Sequence, residues 1–480
     1  MFSLLSAARR APQLGPTFSQ LAPVALRTVS TAGTPTPSRI EQQAIEKSEH
    51  LLGQAKAPEM GSRLWRILFE LGVLNKRVSI FNPFRDSSQA GIKFYNQQNI
   101  SEIAQVIESN IRAGQGSSGV EIGSFIMLPR PEATDGLPLK MAYIEPWVAH
   151  VVSQVLDGNR ELGLLLQNTP LSAVVGPNKR DPGTHFERLN LVNRQLMRVG
   201  SFMWPNLILA ACERYSEKNI GLSISKALQN YIDGLRQFRT FESPGRPHRL
   251  GTVRVYISGY AGVSSHEDNT PMTAYIADQM RTAYPDLKKV FCVGDTKGHS
   301  TSFDAIRLAK EFNDAGIRPN EVEVHLHAKE HNPSNPDEAR EAGRNLLEVL
   351  TTFLSLGYFN IHASMGGSGY NPLTQKGQNI EAGNLSIPLL LCASTYLSSD
   401  NLVDPKIRHH DLARSLVIAD HEQRVLYGHD GEDLYVNPML DRLDFTMFDA
   451  AVQGAHSALT HAGKLTPKSP IDHRFGYEPI

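Results

Sequence analysis

Only three cysteines, Cys212, Cys292 and Cys392, occur in the 480 residues, too few and too scattered for a disulfide framework or a cysteine-based zinc site. That scarcity suits a reducing compartment. The charge is as sparse, a formal −1 from 48 basic and 49 acidic residues, which leaves no polyelectrolyte face for nucleic acid. No apolar run reaches the ~18 residues that a membrane span needs. Nor is any strand pattern followed by G-x-G-x-x-G, so a dinucleotide crevice has no support. With 41% hydrophobic residues there is ample core for a large enzyme.

Residues 1–40 lack Asp and Glu altogether, while Arg9, Arg10, Arg27 and Arg39 are spread among Ser, Thr, Ala and Leu. This pattern resembles a mitochondrial transit peptide, here assigned to residues 1–33, and implies a matrix location. Leu4-Leu5-Ser6-Ala7-Ala8 is too short for the apolar core of a secretory signal. Cleavage near Ser30 to Ala32 removes three positive charges and leaves a mature chain near −4.

Beyond it, a helical extension is expected over 34–75, a catalytic domain over 76–400 and a C-terminal extension over 401–480. Within the middle segment, strand and helix patterns alternate, as in βα units around a parallel sheet. Strands are predicted at Val78–Phe81, Gly119–Phe125, Leu171–Val175, Leu196–Phe202, Val253–Ser258, Lys289–Val293, Val322–His327 and Tyr358–Ala363. Helices are predicted between them, for instance at Ile100–Ala113, Ser302–Ala315 and Asp337–Leu356. Eight such units fit an α/β fold of the closed (β/α)8 TIM-barrel type better than an open sheet. Residues 135–170 exceed what one barrel helix requires and are expected to decorate the rim.

Val322-Glu323-Val324-His325-Leu326-His327 alternates, so period two projects His325 and His327 from one face as a bidentate clamp. In a barrel the chemistry lies where strands end. There the chain offers Arg85 and Asp86 after the first strand, Glu121 in the second, Asp295 after the sixth and Asn384 after the eighth. A carboxylate, two imidazoles and an amide form an N/O donor set that suits Mg²⁺ or Mn²⁺ and also accepts Zn²⁺ or Co²⁺. Such an ion can chelate a hydroxyl and a carbonyl and stabilise the enolate made when the carbon–carbon bond between them breaks.

Several motifs, in order, resemble the metal-dependent TIM-barrel lyases, aldolases and acyl-CoA synthases, a superfamily that includes pyruvate carboxyltransferase-like domains. Within it the chain is most similar to the 3-hydroxy-3-methylglutaryl-CoA lyases. The motifs are Arg85-Asp86-Ser87-Ser88-Gln89, Val120-Glu121-Ile122-Gly123-Ser124-Phe125, Gly176-Pro177-Asn178, Val253-Arg254-Val255-Tyr256-Ile257-Ser258, Gly294-Asp295-Thr296-Lys297-Gly298, the histidine pair and Gly383-Asn384. The resemblance implies Asp86, His325, His327 and Asn384 as metal ligands. It implies Arg85 as the group that polarises the substrate carbonyl, and Glu121 and Asp295 as groups that orient substrate or relay a proton. The implied substrate is an acyl-CoA or a small hydroxy acid. Simpler roles stay open: Arg85 and Asp86 as an ion pair, Glu121 as a rim salt bridge, Asn384 as a helix cap.

One departure matters. The lyases carry a cysteine after the eighth strand for acid/base chemistry, whereas no cysteine lies between Cys292 and Cys392. That position falls on Ser368 or Asn371, both poor proton donors near neutral pH. The alternative to an active lyase is therefore a catalytically lapsed barrel serving as a structural or binding subunit, a homodimer or part of a mitochondrial assembly. If the transit reading holds, N-terminal sequencing of the native protein starts close to Ser30. An intact Met1 on the mature protein is the opposite result.

Overall fold

Runs such as Leu171-Ser172-Ala173-Val174-Val175 are buried along their whole length, as a parallel sheet covered by helices requires. The computed structural model describes residues 37–55, 58–59, 61–74, 78–90, 100–113, 119–125, 143–176, 184–240, 252–262, 268–332, 334–367, 383–397 and 405–464. Eight strands, β1 Ser79–Asn82, β2 Gly119–Ser124, β3 Leu171–Val175, β4 Met203–Ala210, β5 Val253–Ser258, β6 Lys289–Gly294, β7 Val322–His325 and β8 Asn360–His362, pair in chain order, all parallel. β8 pairs back onto β1, Ile361 opposite Ile80, and closes the barrel.

The fourth strand corrects the expectation. Leu196 ends the helix Thr184–Leu196, a 3₁₀ turn Met197–Val199 follows, and Gly200 stops it with φ 76°. Alternation over 196–202 is thus a helix end, and the strand starts at Met203. Pro205 in the middle of β4, opposite Ala173 of β3, gives that segment the look of a non-strand. Residues 143–168 also differ from the expected rim decoration: helix Ile144–Leu156 packs on β2 and on the helices Ile100–Ala113 and Thr184–Leu196, burying Trp147, Val148 and Val151.

The helix starts after β6 and β7 are capped by their own sequences. Thr301 and Asp304 form a reciprocal capping box, and Asn335 accepts from the amides of Asp337 and Glu338 ahead of Pro336.

The described parts of the two extensions are largely helical and lie outside the barrel. Helix Pro405–Tyr427 packs on Arg39–Gln54 and on Ile100–Ala113, and Phe445–His461 packs on Arg63–Leu71 and Pro336–Ser355. Among the described residues, no helix is long and apolar enough to cross a membrane.

From the first of these helices Glu422 reaches inward, fully buried, to the amide of Asn110 (3.2 Å), the side chain of Ser87 and the backbone of Gly366. Burial outweighs these donors and pushes its carboxyl up to about 7. The folded-state value lies above the ordinary 4.5, so the native protein holds this proton more tightly than the unfolded chain. Stability is then lost as pH rises from about 4.5 to about 7, by roughly 3 kcal/mol at most. We predict that Glu422→Gln removes this part of the pH dependence, so that its denaturation midpoint gains on wild type between pH 5 and pH 8. Parallel pH profiles for the two proteins would contradict the assignment.

Candidate metal centre

Asp86 sits in the first turn of helix Phe84–Ala90, directly after β1. His325 ends β7, and His327 lies just past the strand in an antiparallel bridge with Asn384. Leu385 N donates to Leu326 O at 3.0 Å and Ala328 N to Gly383 O at 2.8 Å, so the histidine segment and the Asn384 segment are zipped together. The structure thereby brings Asp86, His325, His327 and Asn384 to one end of the barrel, all buried. His325 Nε2 stands 3.1 Å from His327 Nε2 and 3.5 Å from Asp86 Oδ2. The Asn384 side chain is also in hydrogen-bonding contact with His325.

The electrostatics follow from burial and close neighbours. Arg85 binds Glu121 Oε1 through Nε at 2.7 Å and Asp86 Oδ1 through Nη1 at 2.5 Å. Burial works against the guanidinium charge, but Asp86 and Glu121 prevail and raise its pKa further. The second Glu121 oxygen accepts from Asn206 of β4. Burial, with Glu121 nearby, raises the Asp86 carboxyl against the pull of Arg85. For His325, burial and then His327, His362 and Arg85 lower the pKa well below the usual range, so the ring is neutral and offers a lone pair.

Those donors fit a divalent cation. Three ligand atoms of Asp86, His325 and His327 lie within 4.8 Å of one another, and the Nε2 atoms of the two rings face each other at 3.1 Å. A carboxylate and two imidazoles that converge in this way suit a hard or borderline ion.

Not every expected residue sits at that focus. Glu121 is engaged by Arg85 and Asn206, an ion-pair role. Asp295 accepts from His299 N (3.1 Å), Ser300 N (2.9 Å) and the Ser300 hydroxyl, so its carboxylate organises its own loop. Ser368 and Asn371 lie outside the described residues.

Other groups were not foreseen. Tyr256 of β5 packs its ring edge against His325 with centroids 5.3 Å apart, and burial keeps its phenol protonated. Gly294 makes the room, since a Cβ there would stand 2.4 Å from the Tyr256 hydroxyl oxygen. Tyr215, just beyond β4, has its phenol pushed up to about 12 by burial. Below His325 lie His362, Glu323, Arg254 and Cys292. Glu323 could have been read from the same period-two pattern as the histidines, whereas His362, in a strand of three residues, gave no pattern.

The fold and the donor set together define a (β/α)8 barrel with a candidate divalent-metal centre at its mouth. No protein-family model matches the sequence, and no curated protein matches it. Among solved structures, the hydroxymethylglutaryl-CoA lyase from Pseudomonas aeruginosa is similar at 18% identity and a TM-score of 0.47, over 72% of this chain and 93% of that one. An HMG-CoA lyase from Acinetobacter baumannii, solved with coenzyme A and 3-methylmalate, is similar at 14% identity and a TM-score of 0.45, over 82% and 98% of the respective chains. The carboxyl transferase domain of Rhizobium etli pyruvate carboxylase is similar at 12% identity and a TM-score of 0.42, over 88% and 65%. Identities this low leave the roles of individual residues to the geometry.

Gly298 illustrates how tightly the mouth is built. It has φ +65°, and a Cβ there would meet the backbone of Ala328 at 2.3 Å, one residue past His327. Gly298→Ala should therefore cost at least about 2 kcal/mol of stability, from left-handed strain plus the clash, and weaken divalent-metal binding. Gly53, inside helix Arg39–Gln54 with nothing within 4 Å of a new Cβ, is the control. Its alanine variant should gain about 0.5–1 kcal/mol in chemical denaturation. Equal midpoints for the two variants would contradict this packing argument.

Proposed function

We propose that the chain is a divalent-metal-dependent carbon–carbon lyase of the mitochondrial matrix, acting on a 3-hydroxyacyl-CoA or a related hydroxy acid. The observation that carries this reading is the convergence of Asp86, His325 and His327, buried, with their ligand atoms within 4.8 Å, beside a guanidinium held in place by two carboxylates. Asp86, His325, His327 and the Asn384 amide would hold Mg²⁺ or Mn²⁺, with Zn²⁺ or Co²⁺ also compatible. A bound divalent cation supplies Lewis-acid polarisation of a substrate carbonyl or hydroxyl oxygen.

The chain's own residues supply the rest. Glu121 and Asp86 fix the Arg85 guanidinium, so its charge is preorganised and costs no reorientation during reaction. Tyr256 keeps its proton beside Asp86 and Arg85 and is available to donate a hydrogen bond. Asp295 shapes the loop after β6.

A second reading, a lapsed barrel kept as a binding or assembly subunit, is favoured by the missing thiol. Cys292 and Cys392 are wholly buried, and burial pushes the Cys392 thiol up to about 12 and the Cys292 thiol well above its usual value. Neither can serve as the exposed acid/base group of a loop.

Two measurements separate these readings. Purified mature protein should retain divalent metal, and the double variant His325→Ala/His327→Ala should bind Mn²⁺ at least ~10-fold more weakly. Unchanged metal content in a folded double variant would remove the metal reading. In an acyl-CoA screen, cleavage of 3-hydroxy-3-methylglutaryl-CoA should run ~10²- to 10⁴-fold below a thiol-equipped enzyme, the usual contribution of a general acid, and vanish in Arg85→Ala. Ser368→Cys or Asn371→Cys should raise it. A metal-loaded protein that turns over no acyl-CoA, with or without the added thiol, points to the assembly role.

A further inference from the structure

We infer that His362 and Glu323 are positioning residues: they hold the His325 ring in the tautomer whose Nε2 lone pair faces Asp86 and His327. This inference rests on the metal reading above and goes beneath it, into the barrel interior.

The chain of contacts begins at Arg254 on β5, whose Nε and Nη2 donate to Glu323 Oε2 and Oε1, both at 3.2 Å. A guanidinium can only donate, so Glu323 is the acceptor in both bonds. Glu323 Oε2 lies a further 2.8 Å from His362 Nε2, and a carboxylate already paired with a guanidinium again accepts, which places a proton on His362 Nε2. With Nε2 donating to Glu323, Nδ1 is the ring's acceptor. It faces His325 Nδ1 at 3.4 Å and Cys292 Sγ at 3.6 Å. Both neighbours are positioned to donate to it, so His325 carries its proton on Nδ1 and leaves Nε2 bare. That is the nitrogen 3.5 Å from Asp86 Oδ2.

The relay is held rigidly. The Phe81 ring lies against two of its members, 4.4 Å between centroids to His362 and 4.1 Å to the Arg254 guanidinium carbon. Each residue from Glu323 to His325 is buried to within a few per cent. His327 has no such support: its Nδ1 is buried with no hydrogen-bond partner among the described residues. The orienting work therefore falls on His325. Cys292, Glu323 and His362 also lie close enough to be considered as a metal group of their own. Arg254 opposes this, because it occupies both Glu323 oxygens and brings a fixed positive charge.

Asparagine places an amide oxygen about where histidine places Nδ1, whereas leucine fills the space without an acceptor. Mn²⁺ titrated into the full chain and followed by its free-ion EPR signal should therefore bind His362→Asn much as wild type. His362→Leu should bind it ~10- to 100-fold more weakly, the range for loss of an orienting partner. Equal affinity of wild type and the leucine variant, or an equal loss in both variants, overturns the relay. ¹⁵N-histidine NMR of the metal-free wild type tests the tautomer without any variant, with His325 assigned by the signal lost in His325→Gln. Protonation on Nδ1 supports the relay, and protonation on Nε2 overturns it. Wild type that binds no Mn²⁺ yet shows the Nδ1 tautomer defeats the metal reading and leaves the relay standing.

Discussion

Charge buried in the lumen of the barrel is the constraint on which the site depends. Interiors of such barrels are usually filled with branched apolar side chains, yet here Glu121, Asn206, Arg254, Cys292, Glu323 and His362 are all buried in or at the ends of strands. An ionised group taken out of water costs several kcal/mol unless other groups answer it. Each is answered: Glu121 by Arg85 and Asn206, Glu323 by Arg254 and His362. Burial alone would raise the Glu323 carboxyl, and Arg254 and His362 reverse that, holding it at about 2. Among the described residues, Asp86, Glu121 and Glu323 pair with two guanidiniums, Arg85 and Arg254, with His325 neutral. The uncompensated negative charge falls on Asp86, whose carboxyl is raised, and that is where a cation is best accommodated.

Much of this was legible in the sequence because strands have period two. His325 and His327 share a face with Glu323, and the order of strand-end residues implied convergence across nearly 300 positions. Illegible parts have physical reasons. β4 was displaced because Pro205 disguises a buried strand while Leu196–Phe202 mimics alternation at a helix end. β8 is three residues long, too short for a periodicity to declare His362 inward. Asp295 sits in a motif that suggests chemistry, yet His299 and Ser300 lie close enough in sequence to fold back on it. No one-dimensional pattern could show that.

Tertiary context also explains the extensions. Helix Pro405–Tyr427 buries Leu412, Leu416, Ala419 and Leu426, and near the site it contributes single polar side chains. Glu422 meets Ser87, Asn110 and Gly366, and the Tyr427 hydroxyl donates to Ser87 O at 2.8 Å. Asn437 donates to Gly366 O at 3.3 Å and packs where a Cβ on Gly367 would stand. The segment after Asp86 and the start of the loop after β8 are thus both held from outside the barrel by the C-terminal region.

That arrangement bears on the two functional readings. A barrel retained only as scaffold has no need to keep a neutral imidazole, a carboxylate and an amide at one focus, because removing polar groups from a buried site is often neutral or stabilising. Nor does it need the Arg254–Glu323–His362 chain beneath, which places charge in the lumen that apolar side chains would fill at lower cost. The first set meets His325 at Nε2 and the second reaches the same ring from its Nδ1 side, and the two costs are intelligible together if that ring has a ligand to meet. The missing thiol bears on the rate of a proton transfer, whereas the buried polar chain in the lumen bears on how the His325 ring is held.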